Sequence, residues 1–520
     1  MPSSSRYSSL TLTVSLGIFI FLFAITYSHL KFYIDPDATS YLTIARRYAT
    51  GDYARAVNGL WSPLHPWLVA LFIKAGINAL PAAQLTNAIA CMMILCVMYI
   101  LLTRYQLEFG YITAIMWALP VVLLYCMYKQ LFNDLWQVFF LLCYLQIVTA
   151  DHFITDWRKW LVCGVVGALG YYAKAYSFYF VVFHMIVSLL VITKRNNTAR
   201  KAIIKPLVVV FLTMGILIMP WVYQLYKKYN VVTISTAGAL NTSWFLTGHK
   251  TLKKEFTYLV PPSYFDSPSN MEDPYLHEGH LYKIWESSHF VTVQIERTGI
   301  AILQLIEGLS QISGILFIVL AATLIVVVYK KKQTIFNTNH ITLLLAALIM
   351  PLGYLLVHFE TRYIWLDGYI GILLAGVWLN TLKLHIPPRA MKIIYLIIAC
   401  SFIAYPVYDL KSLWDKGKDI DMEATQIKAL HITGSFTSND NPNRSFITAY
   451  LANMQFYAPE KPFPDTGELL KELHRYHIHY YFCYAQPPYN WNDQFPDENG
   501  HPLPEVKGVT IKGLKIFAIE

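Results

Sequence analysis

Ionisable side chains stand at four places in this sequence where a long apolar run begins or ends. Such groups are costly at membrane depth, so they are candidates for function. A carboxylate in this setting can accept a proton, and a cation can stabilise a developing negative charge. The pattern therefore indicates acids and bases that act at a membrane boundary. The residues, in chain order, are Asp35, Asp37, Asp134, Lys174, Glu360 and Arg362.

Each of these groups also has a purely structural interpretation. Asp35 and Asp37 fit an ordinary polar loop, and Asp37 also fits the N-cap of the helix predicted for "ATSYLTIARRYA". Asp134 fits a helix N-terminus, where the helix dipole favours a negative charge. Lys174 fits a side chain that reaches out to the membrane interface, and the last acid and base fit an ion pair with each other. The residue types alone leave these alternatives open.

The elements that position these residues are membrane-spanning helices. The chain has 520 residues, of which 56% are hydrophobic and 14% charged, and apolar runs long enough to cross a bilayer recur along it. The net charge of +9 does not indicate a nucleic-acid partner, because Lys and Arg of membrane proteins collect in cytoplasmic loops. We expect a mainly α, polytopic membrane protein with about eleven spans. The predicted spans are 10–28, 83–103, 111–128, 134–150, 160–175, 177–193, 205–225, 310–329, 340–358, 364–382 and 391–409.

The basic clusters predict the orientation of this bundle. With the N-terminus in the cytoplasm, the clusters "TKRNNTARKAIIK" and "YKKKQ" both fall inside, as the positive-inside rule requires. The apolar stretch 64–79 is short, and we interpret it as a helix at the membrane interface. The four ionisable places then share the opposite side. We therefore expect them to line one cavity on the external side of the membrane.

The chain changes character after the last predicted span. Residues 1–409 form the predicted membrane domain, with large external loops at 29–82 and 226–305. In residues 410–520 charges return, and β-like runs such as "IHYYFCY" and "VTIKGLKIFAIE" alternate with the helical "DTGELLKELHRY". This pattern predicts a small α/β domain outside the membrane.

Several motifs resemble, in the correct order, those of one enzyme superfamily. "PDATSYLTIARRYATGDY" and "WSPLHPWLVALFIKAGI" resemble the first external loop of the GT-C glycosyltransferases. "FNDLW", "GALGYYAKAYSF" and "ETRYIWLDGYIGILLAG" resemble later motifs of the same group. The resemblance is to the branch with aminoarabinose transferases for lipid A, protein O-mannosyltransferases and Rgt-type core galacturonosyltransferases. Trp61 and Ser62 stand where the aminoarabinose branch has a Lys-Pro pair that helps to hold the donor phosphate.

The resemblance implies an integral membrane enzyme, an inverting glycosyltransferase that uses polyprenyl-phosphate-linked sugars. The acceptor would be lipid A or a core glycolipid, a cell-surface glycan or a protein, and membrane lipids would surround the enzyme. The resemblance places the catalytic acid at Asp37, which would take the proton of the acceptor hydroxyl. If the acceptor is already an anion, Asp37 would balance charge instead.

The remaining candidate residues have supporting functions in this hypothesis. Lys174 and Arg362 would bind the donor phosphate or balance charge. No cofactor and no metal ligand set is predicted, although a divalent cation bound by the acids is left open. The supporting residues are Asp35, Tyr41, His65, Asp134 and Glu360.

A transporter or flippase of lipid-linked glycans is the alternative from another functional class. It predicts pseudo-symmetric halves, helices broken by Gly or Pro near the midplane, and short loops. The sequence has no visible halves, and its ionisable residues gather at one side. A membrane-anchored sensor would need only one or two spans. The sequence therefore favours the enzyme.

Overall fold

The computed structural model describes residues 3–195, 200–329, 336–440, 442–463, 465–485 and 501–519. The helices are α1 (Ser3–Leu30), α2 (Pro36–Thr50), α3 (Tyr53–Ala56), α4 (Leu64–Lys74), α5 (Ala79–Arg104), α6 (Phe109–Lys129), α7 (Asp134–Val148), α8 (Trp157–Ala173), α9 (Tyr176–Arg195), α10 (Ile204–Tyr229), α11 (Ala237–Thr247), α12 (Ser288–Tyr329), α13 (Thr338–Ile349), α14 (Leu352–Val357), α15 (Trp365–Leu382), α16 (Pro388–Ser412), α17 (Lys418–Ala429), α18 (Pro442–Ala452) and α19 (Thr466–Arg475). The strands are β1 (Leu259–Val260), β2 (Ser435–Ser438), β3 (Gln455–Phe456), β4 (Ala458–Pro459), β5 (Tyr480–Tyr484) and β6 (Leu514–Ala518).

The prediction of a polytopic helical membrane protein is confirmed. In the described part of the chain, nine helical segments are at least 18 residues long and apolar enough to cross a membrane. The other two predicted spans are helices α7 and α8, of 15 and 17 residues. Both are shorter than the roughly 20 residues of a typical span, and they pack on each other inside the bundle. The basic residues around Asn197 and Lys331 lie outside the described residues.

Helix α12 differs from its predicted span. It begins at Ser288, so the end of the predicted loop 226–305 is helical. Polar side chains such as Gln294 and Arg297 lower the apolar content of this stretch, but the backbone stays helical. Both side chains donate hydrogen bonds to carbonyls at the end of α14. The backbone is extended at Ser313 (φ −174°, ψ 118°), so a kink divides α12 into two helical parts.

Several helix ends meet at one end of the bundle. We call this end the α2 side, because α1 ends there and α2 begins there. Side chains tie neighbouring segments together at this end. Gln84 of α5 donates to the carbonyl of Lys31 at 3.1 Å, and Asn133 donates to the carbonyl of Ala173. The four predicted ionisable places all lie on the α2 side.

Helix α2 is held from two directions by parts of the chain that follow the first spans. Arg47 is almost fully buried and forms ion pairs with Glu272 and with Asp266, the latter at 3.0 Å, in the segment between α11 and α12. The guanidinium of Arg46 lies 4.2 Å from the ring centroid of Tyr450 in α18. The position of α2 therefore depends on that segment and on the C-terminal region.

The C-terminal region forms the predicted small α/β unit. Its four-stranded sheet has the order β3-β2-β5-β6, with β2 parallel to β3 and β5, and β5 antiparallel to β6. Phe436, Phe456, Phe482 and Ile516 are fully buried between this sheet and its helices. The predicted helix "DTGELLKELHRY" is α19, and the two predicted β-like runs contain β5 and β6. Strands β1 and β4 pair antiparallel and tie the long loop to this region.

Candidate active site

Asp35 and Asp37 have different structural positions at the start of α2. Asp35 is extended (φ −72°, ψ 142°), and its Oδ1 accepts a hydrogen bond from the backbone N–H of Asp37 at 3.0 Å. Pro36 is the first residue of the helix, where its missing N–H does no harm. The helix cap is therefore Asp35, and the alternative in which Asp37 is the N-cap is wrong. The Asp37 carboxylate, in the first turn, remains available for other contacts.

That carboxylate faces Arg362. The Asp37 Oδ2 lies 3.7 Å from the Arg362 Nη2, and about a third of the Asp37 side chain (34%) is exposed while Arg362 is only 9% exposed. Arg362 donates through Nη2 to Glu360 Oε1 at 2.7 Å and through Nη1 to Gln130 Oε1 at 2.5 Å. The ring of Phe132 lies 4.9 Å from the guanidinium. Glu360, Gln130 and Phe132 thus fix the guanidinium. The contact of Asp37 with Arg362 is longer, and the Asp37 carboxylate stays partly exposed to solvent.

Lys174 and Asp134 form a second ion pair. Their Nζ and Oδ1 atoms are 2.5 Å apart, and the Asp134 side chain is 1% exposed. Lys174 directly follows α8 with an extended backbone (φ −155°, ψ 123°), and Asp134 is the first residue of α7. The ammonium group lies 3.9 Å from the ring centroid of Tyr363. The side chain therefore pairs inside the protein and does not reach out to the interface.

Tyr363 connects the two ion pairs. Its ring packs on the Lys174 ammonium, and its hydroxyl donates to Glu360 Oε1 at 3.1 Å. The whole cluster holds four acids and two bases, so with all six ionised it carries two more negative than positive charges. An excess of negative charge favours proton uptake by one of the acids.

The pKa values of the acids differ because their surroundings differ. Burial and then the charge of Asp37 raise the pKa of Asp35 to about 7. Burial also raises the pKa of Asp37, although the charge of Arg362 opposes the shift. Burial alone would raise the pKa of Glu360, but its hydrogen bond with His358 and the charge of Arg362 lower that pKa to about 2. Glu360 therefore stays ionised, and Asp37 is a stronger base than Glu360.

The two predicted supporting residues outside the charged cluster lie behind it. The Tyr41 ring stacks on Phe132 with centroids 5.0 Å apart and planes 7° apart, so Tyr41 supports the ring that holds Arg362. His65 is fully buried, with its ring 6.1 Å from that of Tyr41. Tyr41 thus packs against Phe132, and His65 fills the core behind Tyr41.

A cavity of about 350 Å³ adjoins Arg362 and Glu360. It lies between α6, α12, α15 and α16, and sequence reasoning did not identify the side chains of α12 that line it. Their signal is polar residues spaced three and four apart in the apolar run "AILQLIEGLSQISG", which places them on one helix face. These residues are Gln304, Glu307 and Gln311.

Within the described part of the chain, no three Asp, Glu, His or Cys side chains form a group that would ligate a metal ion. Asp35 and Asp37 are neighbours, but the first is engaged as the helix cap. The divalent cation that the sequence left open stays a prediction.

The fold, in contrast to the sequence, is similar to solved structures. No protein-family model matches the sequence, and no curated protein matches it. The crystal structure of ArnT from Cupriavidus metallidurans bound to undecaprenyl phosphate has a TM-score of 0.57 and 11% identity, covering 99% of this chain and 98% of that chain. The apo structure of the same protein has a TM-score of 0.55 and 11% identity, covering 100% and 98%. The predicted GT-C-like fold is thereby confirmed.

Proposed function

We propose that this protein is an inverting glycosyltransferase that moves a sugar from a polyprenyl-phosphate donor to an envelope acceptor. The observation that carries the proposal is the contact between Asp37 and Arg362 at the edge of the 350 Å³ cavity. A carboxylate with a raised pKa and a fixed cation stand side by side, as group transfer from a phosphate to a hydroxyl requires. The similarity to a protein that binds undecaprenyl phosphate supports a polyprenyl donor.

The transfer breaks the bond between the anomeric carbon and the phosphate oxygen and forms a bond from that carbon to the acceptor oxygen. Asp37 takes the proton of the acceptor hydroxyl as attack begins. The electron pair of the broken bond remains on the phosphate oxygen, where negative charge increases. A guanidinium held in place by Glu360 and Gln130 stabilises that charge without reorganising.

Arg362 is a better candidate for the phosphate contact than Lys174. The Lys174 charge is already balanced by Asp134 at 2.5 Å, whereas the buried Nε of Arg362 has no hydrogen-bond partner among the described residues. Lys174 then affects the Arg362 site indirectly. Its ammonium packs on the ring of Tyr363, and the Tyr363 hydroxyl donates a hydrogen bond to Glu360. If the acceptor is itself an anion, no base is needed and Asp37 balances charge.

The proposal places the reaction on the periplasmic face of a bacterial plasma membrane. The acceptor is then a lipid A or core glycolipid, a surface glycan or a protein, and nucleic acid is not a partner. The location rests on the distribution of basic residues in the sequence and on the gathering of the ionisable residues at the α2 side.

The test is mass analysis of envelope lipids and glycans from a deletion strain that carries either the wild-type gene or the Asp37→Asn variant. We expect one acceptor to lack a sugar, and only the wild-type gene to restore it. Complete restoration by Asp37→Asn would contradict the assigned base. Accumulation of an unaltered lipid-linked glycan on the cytoplasmic side would instead support the transporter or flippase.

A further inference from the structure

Two adjoining surface pockets, which we together call the groove, lie along α10, away from the charged cluster. Its upper part encloses about 740 Å³ and its lower part about 800 Å³, and Pro220 lines both parts. The lower part is apolar and is built from side chains of α10 and from Val232. From Leu212 to Tyr226 the helix rises by about 21 Å, more than the roughly 15 Å of one hydrocarbon leaflet. The lower part is therefore long enough for an acyl chain.

The upper part is walled by aromatic rings that four different helices contribute. The Trp67 ring on α4 lies 5.2 Å from Tyr172 on α8 and 5.6 Å from Trp221 on α10. Tyr48 on α2 lies 6.3 Å from Trp67. The hydroxyl of Tyr172 donates to the carbonyl of Leu217 at 2.5 Å, one turn before Trp221, so the wall is tied directly to α10. Aromatic rings from four helices therefore form a concave site. Aromatic residues that only mark the membrane–water interface would instead be spaced singly along it.

The rim of this upper part carries two lysines in different states. Lys228 is engaged, since its ammonium lies 2.7 Å from Asp273 and donates to backbone carbonyls. Lys227 is exposed, and its ammonium lies 4.8 Å from the ring centroid of Tyr223. Among the described residues it has no carboxylate partner in ion-pair distance. One uncompensated cation therefore stands where the aromatic part meets the solvent.

We propose that this groove binds an anionic phospholipid of the surrounding leaflet, with its chain along α10 and its phosphate at Lys227. The aromatic wall and the lysine match the boundary between the apolar and polar parts of such a lipid. The site is separate from the proposed catalytic site, and it does not depend on the proposed transfer reaction. It would be occupied in the absence of any donor.

The test is native mass spectrometry of the full-length protein in detergent, titrated with phosphatidylglycerol and, separately, with phosphatidylcholine. We expect Lys227→Gln to weaken phosphatidylglycerol binding about five- to tenfold, as expected for the loss of about one charge contact near a membrane surface. The matched control is Lys254→Gln, which removes another exposed lysine outside the groove. Equal binding of the two lipids by the wild-type protein, or an equal effect of the two substitutions, would overturn the proposal.

A second measurement locates the bound lipid. A photoreactive benzoylphenylalanine at Tyr53, which is 58% exposed and lines the groove, should crosslink phosphatidylglycerol. Lys227→Gln should reduce that crosslink, and the same probe at the exposed Phe109 of α6 should be insensitive to Lys227→Gln. A crosslink at Tyr53 that does not change with Lys227→Gln would show contact with bulk lipid only and would refute the site. Both positions are exposed, so the probes do not disturb the core.

Discussion

Replacing Asp37 with asparagine separates proton transfer from every structural function of this residue. The helix cap belongs to Asp35, whose Oδ1 accepts the N–H of residue 37, and that bond uses only the backbone at this position. Asparagine has nearly the same shape as aspartate but cannot accept a proton. The substitution therefore tests the base without removing the cap.

The size of each effect follows from the contacts. The pair between Asp37 and Arg362 is long (3.7 Å) and a third of the Asp37 side chain is exposed, so its loss should cost about 1 kcal/mol or less. Loss of a general base typically lowers the rate 10²- to 10⁴-fold, which is about 2.7–5.4 kcal/mol in the barrier. The kinetic effect should therefore greatly exceed the effect on stability.

The assay is sugar transfer by the purified protein at saturating donor, together with thermal unfolding in the same detergent. Asp37→Asn should unfold within a few degrees of the wild-type protein and lose at least 10²-fold in kcat. Asp35→Asn should keep most of its activity, because asparagine is as good a cap as aspartate, whereas Asp35→Ala should cost about 1 kcal/mol of stability. A folded Asp37→Asn protein with more than a tenth of the wild-type kcat would refute the assignment of the base.

The pH dependence gives an independent check on the same two acids. Because Asp37 must be ionised to accept a proton, kcat/KM should rise with pH through its raised pKa. The folded-state pKa of Asp35, about 7, lies above its ordinary value. The folded protein then binds more protons than the unfolded chain between about pH 4 and pH 7, so stability from Asp35 is present at low pH and is lost as the pH rises through 7. The raised pKa of Asp37 contributes a decrease of the same sign, so Asp35→Asn should make the decrease smaller without abolishing it, and an unchanged decrease would contradict the assignment.

Three further predictions concern the ion pairs and the orientation. Lys174→Ala leaves the buried Asp134 without a partner, so we expect lower thermal stability and more than tenfold lower turnover; adding Asp134→Asn should restore stability but not turnover, and recovery of both would make the pair structural. Arg362→Lys keeps the charge but loses the fork that bonds two partners, so the KM for the donor should rise about tenfold, and an unchanged KM would move the phosphate contact elsewhere. In a variant without native cysteines, an impermeant thiol reagent should label a cysteine at Lys254 in intact spheroplasts but not one at His385, and the reverse result would invert the orientation.

The sequence predicts the helices well because each span is a local property of composition. Apolar runs of sufficient length mark the helices, and short runs of aromatic and aliphatic residues mark β5 and β6. The start of α12 is not predictable in this way, because Gln294 and Arg297 lower the apolar content while their side chains bond carbonyls about sixty residues away. Hydropathy reports the surroundings of a helix and not its hydrogen bonding.

The candidate site is predictable in its charged members but not in their pairing. The ionisable residues are conspicuous because such groups are rare at the ends of apolar runs. Their partners are set by tertiary contact: Lys174 meets Asp134 forty residues away, and Arg362 is fixed by the neutral Gln130 and Phe132. Neutral residues in a polar loop are not conspicuous in a sequence. The contacts of Gln130 and Phe132 with Arg362 are therefore seen only in the folded chain.

Helix α2 is attached to the C-terminal region near its C-terminal end, so a small tilt of the helix would displace Asp37 at its N-terminal end. Arg46, which rests on Tyr450, is nine residues from Asp37, a distance of about 14 Å along the helix axis. A tilt of only about 5° would move the carboxylate by about 1.2 Å, and a misplacement of about 1 Å can slow a reaction about 10²-fold. The C-terminal region would then govern turnover without touching a substrate, and exchanging it between relatives would misalign a reaction centre whose own residues were unchanged.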